Sequence, residues 1–135
     1  MKAIMPTQTA LYNFLKGNAT LISKVKGVFD EVPQDQAFPY VVFGEFTSTP
    51  YKTFGRGGEN VEAVIWVCSR YKGFKEAIDI GGVITELLDG DVDTKLTIAG
   101  YEHVMTKYKS AQTQRDNDGT TRYAILTFDI LVQKQ

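Results

Sequence analysis

One cysteine and one histidine are all that the 135 residues offer as soft metal ligands. A structural zinc takes about four such ligands, and a catalytic zinc about three with an open position, so zinc chemistry is excluded. The lone Cys68 rules out an internal disulfide and fits a reducing compartment. Charge imbalance is also missing: 15 basic residues stand against 16 acidic ones, for a net charge of −1. Proteins that bind duplex nucleic acid carry a basic excess or stripe, and this chain has neither. No run approaches the roughly 20 apolar residues of a membrane span. Met1 to Thr7 hold no apolar run long enough for a signal peptide. Repeats and low-complexity tracts are absent.

What remains is ordinary globular composition, 43% hydrophobic and 23% charged, which supplies enough apolar surface for a core. A chain of this length is expected to fold as one domain, residues 1–135, burying about two-thirds of its unfolded surface. The stretch from Asn60 to Leu88 organises the reading. Val61, Ala63, Ile65 and Val67 alternate onto one face of a strand; Val64, Trp66 and Cys68 fall on the other. Apolar residues on both faces predict a central strand covered on both sides, with Trp66 in the core. After Ser69–Gly73 the period changes. Ala77, Ile80, Gly81, Ile84, Leu87 and Leu88 recur at helical spacing, opposite a stripe of Lys75, Asp79, Gly82 and Glu86. Gly90 is the expected helix stop. Gly81 and Gly82 each cost such a helix about 1 kcal/mol relative to Ala. Close approach of helix to sheet would offset Gly81; Gly82 has no packing account.

The rest follows by the same signals. Residues 7–16 predict a helix with Leu11, Phe14 and Leu15 on one face, ended by Gly17-Asn18. Ala19–Val25 add a short second helix. Val28–Val32 form a short strand, and Tyr40–Phe46, rich in aromatic and β-branched residues, a longer one opened by Pro39. Ser48–Gly58 carries one Pro, three Gly and two aromatics between strands. It reads as a long hairpin loop at about 47–60 or a projecting arm, well beyond the usual 2–5 residues of a hairpin loop. Asp91–Thr94 reads as loop and Lys95–Ile98 as a short strand. Tyr101–Ser110 alternates weakly, with His103 mid-strand as a surface or interface residue. Arg115–Gly119 is a strong turn signal. The final strand, Arg122–Val132, is apolar on one side at Ala124, Leu126, Phe128, Ile130 and Val132. Its other side carries Tyr123, Ile125, Thr127, Asp129 and Leu131 and is too apolar for open water, so a partner subunit or another part of the chain should cover it. The fold class is therefore α+β: a mainly antiparallel sheet with helices packed on one face.

The search for catalytic chemistry finds little. Cys68 and His103 are the one thiol–imidazole pair available, but Cys68 lies in the predicted central strand, where a buried thiol behaves as a small hydrophobe. Gly55–Gly58 is glycine-rich without the Gly-Lys-Ser/Thr spacing of a phosphate loop. Asp89–Asp93 imitates the start of a calcium loop, but the required position-twelve Glu falls on Gly100. Asp30, Glu31 and Asp35 read as a solvated loop edge. No cofactor is expected. Tyr51, Lys52, Phe54 and Arg56 are residue types that anchor protein interfaces. The same residues could stack on single-stranded nucleic acid, though the chain offers no basic groove to go with them.

Several segments in order resemble one family. They are Val32–Glu45 (Val-Pro-Gln-Asp-Gln-Ala-Phe-Pro-Tyr-Val-Val-Phe-Gly-Glu), the Ser/Thr-rich Phe46–Pro50, Trp66–Ala77 (Trp-Val-Cys-Ser-Arg-Tyr-Lys-Gly-Phe-Lys-Glu-Ala) and Arg115–Tyr123. Together they are similar to the tail-completion proteins of long-tailed phages and prophages, also called tail terminators. The resemblance implies a structural protein without catalysis. It implies a hexameric ring, formed before or during assembly, on the head-proximal end of the tail tube. That ring ends tube growth and meets both the tail-tube protein and the head connector. DNA passes through its lumen without specific binding. The site of action so implied is the virion, with assembly in the host cytoplasm. Interface residues expected on the combined reading are Tyr51, Lys52, Phe54, Arg56, Tyr123, Ile125 and Leu131. Two other classes stay open: a small ligand-binding or enzymatic α+β domain around Cys68 and His103, which needs a pocket holding both, and a single-strand nucleic-acid module at Tyr51–Arg56, which needs salt-sensitive binding.

Overall fold

Alternation of period two drives the centre of the molecule into a twisted sheet, and the change to period 3.6 lays a helix across it. The computed structural model describes residues 1–53, 56–89 and 96–135. In chain order these form α1 (Ile4–Lys16), α2 (Ala19–Ile22), β1 (Val28–Phe29), β2 (Tyr40–Thr53), β3 (Arg56–Ser69), α3 (Lys75–Leu88), β4 (Tyr101–Arg115) and β5 (Arg122–Lys134). Among the described residues the sheet has five strands in the order β1-β2-β3-β5-β4. Only β1, paired parallel to β2, departs from the antiparallel pattern. This is the α+β architecture that the sequence predicts.

The helices pack on one face, here called the inner face. Val61, Ala63, Ile65 and Val67 of β3 are fully buried there, beside Phe128, Ile130 and Val132 of β5. Leu11 and Leu15 of α1 and Ile80 and Ile84 of α3 close over them. Asn18 caps α2 by accepting the Leu21 N–H at 3.0 Å, which satisfies one of the open donors of a helix start. The start of α1 is tied to the sheet by Glu59 of β3, which accepts the Ala3 N–H at 3.2 Å and the Ser48 hydroxyl of β2. Between β4 and β5, Asp118 accepts the N–H groups of Thr120 and Thr121 and the Thr121 hydroxyl. Gly119 there adopts φ +75°, the left-handed region that glycine enters without steric cost.

Four expectations change, and one left open is decided. Residues 47–53 and 56–60 are paired strands, so of the hairpin loop and the projecting arm expected there it is the arm that forms. Its ladder runs from Thr47↔Glu62 to Thr53↔Arg56. Pro50 fits a strand here because β2 is an edge strand at that point, where a missing N–H is tolerated. The central strand is not covered on both sides. Trp66 lies on the outer face, half-buried and edge-on to Tyr123 at 5.1 Å. Gly44 makes room for it, since a Cβ there would stand 2.6 Å from the indole nitrogen. Val28–Val32 shortens to a two-residue β1. His103 is buried, not at the surface. A register shift between His103 and Met105 turns both His103 and Thr106 inward, with His103 Nε2 2.7 Å from Thr106 Oγ1. A bulge inserts one residue and so moves side chains to the other face, which plain alternation cannot foresee. Finally, Gly81 is not required by close packing: a Cβ there would meet Leu126 and Ala124 at 3.5 and 3.6 Å, ordinary contact. Of the short segments after α3, residues 90–95 lie outside the described residues, with the expected stop at Gly90 and loop at Asp91–Thr94 among them. Beyond them Ile98 forms an isolated bridge to Tyr101.

Two outcomes follow. Phe128→Ala removes a fully buried ring and should cost about 3–5 kcal/mol in urea denaturation, while Trp66→Ala should cost clearly less. Equal losses would show the outer face to be packed like the core. Burial also lowers the pKa of His103 from its usual 6.5, so the folded state favours the neutral ring. Stability should then be full above about pH 6.5 and fall as the unfolded chain takes up a proton that the folded state refuses. Between pH 7.5 and 5.5 the wild type should lose stability that a His103→Gln variant keeps; parallel losses would contradict this burial.

Candidate assembly interface

The outer face of the sheet has no helix over it among the described residues. Its side chains follow from strand parity: Val42 and Gly44 of β2, Glu62, Val64, Trp66 and Cys68 of β3, Tyr123, Ile125, Thr127, Asp129 and Leu131 of β5. At one end it is apolar and aromatic. Tyr123 pairs with Cys68, Ile125 with Trp66, and a hollow lined by Val42, Gly44, Val64 and Trp66 opens beside them. Midway the face is charged. Lys109 of β4 donates to Glu62 at 2.6 Å, and this hydrogen bond, with Asp129 nearby, raises the lysine's pKa. Beyond the charges, Leu131 stands opposite Met105. Asn60 Oδ1 and Asp129 Oδ1 are buried with no hydrogen-bond partner among the described residues. Such orphaned acceptors are costly inside a finished structure, and a covering partner could supply donors for them.

The residues expected at an interface fall into two places. Tyr123, Ile125 and Leu131 share the outer face; Ile125 is nearly buried among its neighbours, and the other two are half-buried. Tyr51 lies more than a strand's width away, near the end of the arm, with its ring across Gly58. Lys52 and Arg56 are also in the arm, their backbones opposite Gly57 and Thr53. Phe54 lies outside the described residues. The sequence reading missed a third surface, a groove of about 700 Å³ between α3 and β4, lined by Ile78, Gly82, Thr85, Tyr108, Ala111 and others. Ile78, 55% exposed, was the available signal: it interrupts the polar side of the helix beside Asp79 and Gly82.

The geometry does not assemble a catalytic site from Cys68 and His103. Cys68 is opposite Tyr123 on the outer face, and His103 opposite Val132 on the inner face. Nine residues of β5 separate the two positions, about 30 Å of strand. Burial pushes the Cys68 thiol up to about 11, so it is protonated and unreactive near neutrality. Burial, reinforced by Cys68, likewise carries the Tyr40 hydroxyl to about 12. Among the described residues no group of three or more His, Cys, Asp or Glu could hold a metal ion. No helix of the described residues is long and apolar enough to cross a membrane.

Comparison with known proteins points the same way as this surface. A family model described as tail completion protein gp17 matches residues 9–133. The tail completion protein gp17 of Bacillus phage SPP1 is 31% identical over 121 residues, spanning 88% of this chain and 86% of that protein. Its solved structure superposes with a TM-score of 0.63 at 27% identity, covering 96% of this chain and 91% of that one. A chain in the virion of a native gene transfer agent particle superposes with a TM-score of 0.82 at 25% identity, covering 93% of both. With a family match running almost from end to end and an unclad sheet face in place of a catalytic centre, this chain belongs to the tail completion protein gp17 family, structural proteins of the phage tail and not enzymes.

Proposed function

We propose that this protein caps the head-proximal end of the phage tail tube as a hexameric ring, ends tail elongation and joins the tail to the head connector. The observation that carries the reading is the one-sided sheet. Its outer face presents Trp66, Tyr123, Ile125 and Leu131, with buried acceptors at Asn60 and Asp129 that meet no donor among the described residues, a surface suited to another protein. Likeness to a chain inside an assembled virion supports a role within a particle. The number six rests on the family resemblance. The partners on this reading are further copies of the chain, the tail-tube protein below and the connector above. A net charge of −1 suits a conduit that lets DNA pass without holding it. Assembly takes place in the host cytoplasm, and the finished position is the virion tail.

The test is genetic complementation. A phage lacking this gene should accumulate unjoined heads and tails of uncontrolled length, and supplying the protein should restore joined particles with tails of normal length. Trp66→Glu, which places a charge on the outer face, should keep the fold by circular dichroism yet fail to restore joining. Joined particles of normal length without the protein would overturn the proposal.

A further inference from the structure

Two surfaces at opposite edges of the sheet match each other. The first is the groove between α3 and β4. Ile78, 55% exposed, and Tyr108, 42% exposed, stand in it. At Gly82 a Cβ would meet nothing within 4 Å, so the chain's own packing leaves that space open. Opposite charges mark its two ends. Glu86 and Asp89 line it at the C-terminal end of α3. Lys75 opens α3 at the other end, beside Arg115, whose guanidinium lies 5.0 Å over the Phe74 ring. The second surface is a ridge on α1 and β1. Tyr12 and Phe29 form its middle, and both line a hollow on either side. Met5, 66% exposed, lines one hollow with Asp30 and Glu31. Ile22, 38% exposed, lines the other with Lys16 and Lys26.

Ridge and groove cannot meet within one copy. β1 and β4 are the outer strands of the five-stranded sheet, and four strand spacings put them about 19 Å apart. Between copies the two surfaces agree in length and in charge. From Met5 to Lys16 is about 16 Å along α1, and from Lys75 to Glu86 about 16 Å along α3. When Lys16 and Lys26 face Glu86 and Asp89, Asp30 and Glu31 come to the end of Lys75 and Arg115. Both ends then pair opposite charges. The reverse alignment would oppose like charges at both ends, which is costly at an interface and so fixes the register. Tyr12, Phe29 and Met5 between the charges are the residue types enriched in interface cores. We propose that the groove receives the α1–β1 ridge of a second copy, with Tyr12 and Phe29 against Ile78 and Tyr108 and the charged ends paired in this sense. Ridge and groove are different surfaces of one chain, so the contact is head-to-tail. Contacts of that kind close into rings when the rotation allows. The inference rests on the ring proposed above and names the contact that holds neighbours together.

Compensating charge reversal tests the contact. Lys16, Lys26, Glu86 and Asp89 are all exposed, so reversing them should leave the thermal midpoint of the free protein close to that of the wild type. Lys16→Glu with Lys26→Glu should lower the yield of joined particles roughly tenfold or more, and so should Glu86→Lys with Asp89→Lys. All four reversals in one chain restore opposite charges at every contact, and the yield should recover. In parallel, a photoreactive phenylalanine analogue replaces Tyr108, tails carrying the protein are irradiated, and the joined peptides are identified by mass spectrometry. The expected product links residue 108 to residues 12–29 of another copy. Normal yield from either folded pair of reversals, or no recovery in a folded fourfold variant, would overturn the ridge-in-groove contact. If a reversed chain does not fold, the crosslink decides. Crosslinks from residue 108 only to a tube or connector protein, to another segment of this chain, or to nothing, in tails that still carry several copies, would overturn the contact and leave the ring standing. Tails carrying one copy would instead overturn the ring on which it rests.

Discussion

Burial of one alternating face of the sheet is the constraint on which the structure depends. Val61 to Val67 and Ala124 to Val132 supply two adjacent ladders of β-branched and aliphatic residues. All of that surface leaves water beneath α1 and α3. A buried Val, Leu, Ile or Phe contributes about 1.5–3 kcal/mol, so two such ladders outweigh the local costs elsewhere, including the glycines of α3. The helices are too few to cover the second face. That limit leaves Trp66, Tyr123 and Leu131 half in water on the outer face, and the rims of the helix layer open as grooves. The surfaces available for assembly are therefore consequences of where the core ends.

Strand and helix periods made most of this layout legible in the sequence. The change of period at Gly73 marked α3, and the clean side of the last strand marked the floor of the core. Legibility failed where the period breaks or where a residue type fits two environments. Register shifts at His103/Met105 and Tyr108/Ser110 reversed the facing of the stretch of β4 between them. Trp66 reads as core by its chemistry, yet a tryptophan half-covered by Tyr123 and a neighbouring glycine satisfies the same pattern. At 47–60 Gly and Pro left loop and arm both open, and the arm forms because Pro50 falls on β2 where it is an edge strand. The outer face of β5 was visible from its half-apolar alternation. The groove was not, because it forms between residues 78 and 108, whose approach depends on how far α3 extends over β4.

Loss of catalysis from the picture is a matter of distance as well as composition. The thiol of β3 and the imidazole of β4 sit on opposite faces and pair with opposite ends of β5, and burial favours the uncharged form of each. What the molecule offers instead is surface of three kinds: an aromatic sheet face, a projecting arm, and an apolar groove with an acidic rim. Surfaces that differ from one another and all remain uncovered in one copy suit a protein that is completed by neighbours.

The most direct measurement is a three-dimensional image of tails with the protein bound, resolved well enough to trace the chain. The account predicts six copies in a closed ring at the head-proximal end, with the Trp66 face or the α3–β4 groove of each copy in contact with a neighbouring protein. A single copy, a ring of another order, or a ring in which both surfaces face open solvent would contradict it.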